Sequence, residues 1–213
     1  MPEQKKRKFY RIICAVIGIT IISIGLTFIR YAALGLDPVT SLNTGIANQL
    51  GISFGTWHLI IFSIMLAWVF FADRSKIGFG TVYNIVTIGY VSDFLLWLLR
   101  ELPLFQSFFL QLRIASFLFG LVVLYFGAAV YIEAKTGLAP YDAIAIIIAE
   151  KIKRPNAFKL IRMGTDALCV FGGVLTNSDV GIGTLITVLC AGPIIAFFRK
   201  RLVKLKIFQA LQG

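Results

Sequence analysis

Charge is scarce in this sequence. Only 15% of its 213 residues are Asp, Glu, Lys or Arg, whereas a soluble domain carries about a quarter. Acids are scarcer still, with 10 Asp and Glu against 21 Lys and Arg. There is one histidine, and there are three cysteines. Cys14, Cys169 and Cys190 are scattered through apolar runs, form no CxxC pair and read as small packing residues. The chain contains no HExxH, no GxSxG and no Cys–His spacing suited to nucleophilic catalysis. His58 has no second ligand at a fitting spacing, so no metal site and no cofactor is expected. An intramembrane hydrolase using Asp93 and Asp166 finds no support in the residues that flank them. The composition excludes a soluble globular enzyme, a disordered chain and a secreted disulfide scaffold, and no enzymatic activity is expected.

Apolar residues are abundant. They make up 58% of the chain, and the mean hydropathy is +0.86. Runs such as 12–29 and 114–132 show no period-two alternation, which argues against a transmembrane barrel. An all-α polytopic membrane protein remains. The net charge of +11 would suggest nucleic acid in a soluble protein. In a membrane protein it reflects basic residues collected in cytoplasmic loops, so no nucleic-acid partner is expected. The basic ends, Lys5 to Lys8 and Arg199 to Lys206, are expected to lie on anionic lipid headgroups.

A helix needs ~20 apolar residues to cross the hydrocarbon core. Six segments fit: about 10–31, 55–72, 79–99, 112–132, 157–175 and 181–198. The first follows a basic stretch as a signal peptide would, but no A-x-A cleavage site comes after it. With both termini cytoplasmic, 17 basic residues fall inside and three outside (Arg30, Arg100 and Arg113), with Arg162 within a span. Segments 38–50 and 140–150 each begin at a proline, which suits the first turn of a helix, and Asp37 stands where an N-cap belongs. Thirteen residues reach only ~20 Å, too short to cross. Were both to cross, eight spans would give a 16-to-4 charge split, so helix length decides for six.

The halves match when shifted by 102 residues. Arg11 falls on Arg113, Gly18 on Gly120, Gly25 on Gly127, Gly35-Leu36 on Gly137-Leu138 and Pro38 on Pro140. With one further residue of shift, Gly78-x-Gly80-Thr81 falls on Gly181-x-Gly183-Thr184. Three spans plus one short helix per half invert the second copy, an arrangement of many transporters and channels. The expected organisation is a basic N-terminus (1–9), a first repeat (10–100), an external linker (101–111), a second repeat (112–198) and a basic tail (199–213). Gly18/Gly25 and Gly120/Gly127 should line close helix contacts, leaving Ile21 and Leu124 to face lipid. The GxGT segments read as tight helix starts, because a phosphate cradle would need a following Lys.

Ionisable residues inside a membrane are functional candidates by default. Arg162 and Asp166 lie one helical turn apart and can pair. Asp142 falls in the first turn of the second short helix, where the helix dipole favours a carboxylate. These three form either a solute site or a staple between two helices. Asp93 reads as a proton carrier or a residue near the outer surface. Thr40, Ser41, Asn43 and Asn84 could line a polar path or satisfy one another. Arg30 and Glu133 read as snorkelling span ends, and His58 as interfacial.

GLDP (35–38), GLAPYD (137–142), the Arg162/Asp166 pair, both GxGT turns and Gly192-Pro193 resemble the YczE/YitT-type bacterial membrane proteins. The resemblance covers nearly the whole chain and implies a multi-pass protein of the bacterial cytoplasmic membrane. It also implies an acid two residues after each short-helix proline. Asp142 keeps that pattern and Thr40 departs from it. The expected function is a small secondary transporter or permease for a polar, cationic or proton-coupled solute, bound by Asp142, Arg162, Asp166, Thr40, Asn43, Asn84 and Asp93. The alternatives are a non-transporting regulatory partner and the solute-binding subunit of an ATP-driven importer. A homodimer is left open. The short helices are either re-entrant or flat at the interface, the latter served by the stripe Val39, Leu42, Ile46 and Leu50.

Overall fold

The computed structural model describes residues 3–106, 109–154, 157–205 and 208. The centre of the expected external linker and part of the basic tail, with Lys206, lie outside the described residues. Among the described residues every regular element is helical. The elements are α1 (Glu3–Ala32), α2 (Pro38–Leu50), α3 (Phe54–Ala72), α4 (Phe79–Glu101), the single turn α5 (Pro103–Gln106), α6 (Leu110–Ala134), α7 (Pro140–Lys151), α8 (Ala157–Leu175) and α9 (Ile182–Leu202). The basic N-terminal segment does not stand apart, because α1 runs through it from Glu3.

Helix limits follow local chemistry. α1 ends where Ala33 (φ 48°) and Gly35 (φ 127°) turn the chain into the left-handed region. The Arg113 guanidinium donates to the freed carbonyls of Ala32 at 2.7 Å and Ala33 at 2.6 Å. Asp37 caps α2 by accepting the Thr40 amide at 3.2 Å, and Gly51 in the left-handed conformation closes it. Both GxGT segments open helices in the same way, with Gly78 donating to Thr81 Oγ1 at 3.1 Å and Gly181 to Thr184 Oγ1 at 3.2 Å. These amides are satisfied within the turn, so close packing is what the GxGT pattern provides.

Five helices, α1, α3, α4, α6 and α9, are long and apolar enough to cross a membrane. The sixth expected span forms as α8 over its expected bounds, but Lys159, Arg162 and Asp166 set it apart from those five by composition. α2 and α7, at 13 and 12 residues, are too short to cross. Large apolar side chains such as Phe71, Phe94, Trp97, Leu118, Leu168 and Phe171 are exposed around the bundle. In water so much exposed apolar surface would drive association. Lipid tails leave it without cost.

The core is the antiparallel contact of α1 with α6. A Cβ added to Gly18 would lie 2.7 Å from the Tyr131 amide nitrogen, and one added to Gly127 would lie 2.7 Å from that of Ile22. Gly25 and Gly120 meet one turn pair further on. Ile21 and Leu124, expected to face lipid, lie in this contact instead, Ile21 against Gly127 and Leu124 against Gly25. α4 packs on α1 and α9 on α6. α2 lies along α8, and α7 lies against both α3 and α8.

Backbone bonds between the halves come in matched pairs. Gly80 donates to Thr136 O and Gly183 to Leu34 O, both at 2.9 Å. Leu138 donates to Lys76 O and Leu36 to Asp179 O, both at 3.0 Å. Each half thus offers the loop before its short helix to the helix-opening turn of the other.

Candidate functional site

Pro140 is fully buried at the start of α7, which places Tyr141 and Asp142 at the face of α8. Residues 162, 166 and 169 recur at helical spacing, so Arg162, Asp166 and Cys169 share that face. Arg162 pairs with Asp142 through Nη1. Its Nε lies 3.3 Å from Asp166. The Tyr141 hydroxyl donates to Asp166 Oδ1 at 2.9 Å and lies 3.7 Å from Cys169 Sγ. The guanidinium carbon of Arg162 stands 4.2 Å over the Tyr141 ring, a cation–π geometry. The cluster is not sealed: the Asp142 side chain is 48% exposed and that of Asp166 20%.

α2 brings a third carboxylate. It runs parallel to α8, with Ser41 against Gly173 and the glycine at 45 against Thr176. Its cap, Asp37, therefore falls near Cys169 and within electrostatic reach of Arg162 and Asp166. The two short helices carry the same chemistry in exchanged positions. Asp37 is the N-cap of α2, with Thr40 three residues on. Ala139 is the N-cap of α7, with Asp142 three residues on. The acid that Thr40 lacks is thus supplied by Asp37, which the sequence marked only as a cap. From Asp37 a polar seam runs between α2 and the end of α8. The hydroxyls of Ser41, Thr44 and Ser178 are buried there with no hydrogen-bond partner among the described residues. They make the seam between α2 and α8 polar.

The other candidates lie elsewhere. Thr40 is buried beside Asp37. Asn43 accepts from Trp57 Nε1 at 3.2 Å and ties α2 to α3. Asn84 is buried on α4. Asp93 is not part of the cluster on α8. It pairs with Arg30 at 2.8 Å and accepts the Gly55 amide at 2.6 Å, so one carboxylate joins α1, α3 and α4. Arg30 does not snorkel: its side chain is 9% exposed and lies 4.3 Å over the Phe54 ring. Nor does Glu133, which is buried and accepts from Arg199 at 2.6 Å. His58 faces the bundle. It is buried and stacked on Phe62 at 4.0 Å, because its helix packs that face against α4. Tyr141 was missed as well, since an aromatic beside a proline carries no distinguishing pattern.

Comparison with known proteins gives the family. The model of a family of unknown function, DUF6198, matches residues 9–200. A Bacillus subtilis relative, the uncharacterized protein YyaS, is 30% identical over 85% of this chain and 89% of its own length. The uncharacterized membrane protein YczE of the same organism is 26% identical over 84% of this chain and 81% of its own. A Haemophilus influenzae protein is 26% identical over 88% and 83%. No solved structure matches. With a match across nearly its whole length and a bundle of long apolar helices, the chain belongs to the DUF6198 family and is a YczE-type membrane protein.

Proposed function

We propose that the protein is a small secondary transporter of the bacterial cytoplasmic membrane that moves a cationic or proton-coupled polar solute and has no enzymatic activity. The observation that carries this is the meeting of two short-helix starts at one charged cluster. Two carboxylates, Asp142 and Asp166, pair with one guanidinium, Arg162, and a third, Asp37, lies within its electrostatic reach. An empty helix N-terminus favours an anion. Here Asp37 already occupies the Thr40 amide, and the excess of carboxylate favours a cation or protons.

The paired bonds between the halves support two inverted three-helix repeats, each with a re-entrant short helix, the plan of many transporters. α8 would be the sixth span. Its 19 residues reach about 28 Å, close to the ~30 Å hydrocarbon thickness. Arg162 and Asp166 turn toward α7, while Leu160, Leu168, Phe171 and Leu175 are exposed toward lipid. Basic residues of α1, of 74–76, of 135–154 and of α9 gather toward one end, which supports both termini in the cytoplasm.

The direct Asp142–Arg162 pair favours a second reading, an electrostatic staple in a regulatory protein that transports nothing. The test is uptake into liposomes holding the purified chain, screened over cationic and zwitterionic solutes with and without a pH gradient. Uptake that the gradient changes and Asp142→Asn abolishes supports transport. No uptake across the screen refutes it and leaves the regulatory reading.

A further inference from the structure

A second feature lies at the basic end of the bundle, away from the α7–α8 cluster. A cleft of about 530 Å³ opens between the first turns of α1, the turn before α4 and the loop after α6. Arg7, Lys8 and Arg11 enter it from α1, Ser75 from the turn and Lys135 from the loop. Positions 7, 8 and 11 fall on one helix face. No Asp or Glu lines the cleft among the described residues. Two other cations at this end meet acids, Lys76 with Glu150 at 2.8 Å and Arg199 with Glu133 at 2.6 Å. Lys8 and Lys135, by contrast, make no ion pair among the described residues.

The walls are pre-formed. Lys135 is held in the left-handed conformation (φ 51°) with its amide on Ile132 O. The bonds from Gly80 to Thr136 O and from Leu138 to Lys76 O fasten its loop to the opposite wall. Ile12 and Phe79 supply an apolar floor. From Phe79 the exposed apolar side chains of Val82 and Val86 continue along one face of α4, and Phe9 and Tyr10 of α1 are exposed aromatics of the kind that sits at headgroup level.

We propose that this cleft binds a phosphate-ester anion, carried by the headgroup of an acidic phospholipid whose acyl chains follow the apolar face of α4. Convergent Lys and Arg at the headgroup level recognise such groups, and guanidinium forks match phosphate oxygens. A soluble phosphate ester shares the anion but has no use for the apolar floor.

The test uses the purified full chain in neutral detergent, with native mass spectrometry to read binding. The probes are phosphatidylglycerol, phosphatidylcholine, glycerol 3-phosphate and inorganic phosphate. The cleft variant is Lys8→Gln with Lys135→Asn, since Asn tolerates positive φ. The control is Lys153→Asn with Lys204→Gln, two basic residues outside the cleft, of which Lys153 also has positive φ (53°). Phosphatidylglycerol is expected to bind over phosphatidylcholine. The cleft variant should weaken it on the order of tenfold or more, and the control by less than about twofold. Equal weakening by both variants, or no preference for phosphatidylglycerol, overturns the site. Binding of glycerol 3-phosphate or inorganic phosphate as tight as that of the lipid overturns the lipid source. If the double variant does not fold, Lys8→Gln alone, an exposed change on α1, decides by the same comparison.

Discussion

The Tyr141 hydroxyl donates to Asp166 Oδ1 at 2.9 Å, so the first turn of α7 is tied to the middle of α8 by one hydrogen bond to a carboxylate. Tyr141→Phe keeps the ring under Arg162 and removes only the donor. Folded yield should change little, while solute uptake in liposomes should fall on the order of tenfold. Unchanged uptake would show that Asp166 needs no donor.

Asp142 and Arg162 separate the site from the staple. Asp142→Asn leaves the partly buried Arg162 guanidinium with Asp166 as its paired carboxylate. If the pair is a staple, Asp142→Asn should lower folded yield, and adding Arg162→Gln should partly restore it. If it is a working site, Asp142→Asn should accumulate as folded protein without uptake. Normal yield with normal uptake would defeat both.

The glycine contact predicts a packing failure. Leu at Gly25 or Gly127 would drive a side chain into the backbone of the facing helix. Overpacking of this kind costs about 1–3 kcal/mol or more. The melting temperature in detergent should drop well below that of Val122→Leu, a change on an exposed face of α6. Equal melting of the two would remove α1–α6 as the core.

Sidedness follows from the paired loops. In a background without Cys14, Cys169 and Cys190, single cysteines at Ser75 and at Gln49, both exposed, should react with a membrane-impermeant thiol reagent from opposite sides. Reaction from one side only would overturn the inverted repeats.

One pH effect is expected outside the membrane. The Ser75 side chain and amide hold the Asp73 carboxyl below the ordinary carboxylate range. A carboxyl depressed in the folded state stabilises above its unfolded value, about 4, and loses that contribution as pH falls through its folded value. Wild type should therefore exceed Asp73→Asn in melting temperature near neutrality, with the gap closing below about pH 4. A gap constant down to pH 2 would count against this role for Asp73.

The helices were legible because their limits are local. The proline at 38 or 140, the glycine pattern at 78–80 and 181–183, and the length of each apolar run act within a few residues. The Arg162–Asp166 pair was legible for the same reason, being four residues apart on one helix. Arg30 with Asp93, and Glu133 with Arg199, were read singly, because 63 and 66 residues separate them. Ile21 and Leu124 were turned toward lipid because a bilayer removes the usual cue. Apolar residues face both lipid and core, so hydropathy cannot sort the two faces of a helix.

The sequence by itself determined that this chain is a helical membrane protein, since the length of an apolar run needs no tertiary partner. Only the tertiary structure decided which acids share a site. Asp37 comes within electrostatic reach of Arg162 and Asp166 because α2 packs along α8 of the other half. Asp93 is withheld from that site because Arg30 and the Gly55 amide hold it. The physical reason is that a charge in a low-dielectric interior takes whatever opposite charge or donor the packing brings within reach, and packing between halves follows no local pattern in the chain.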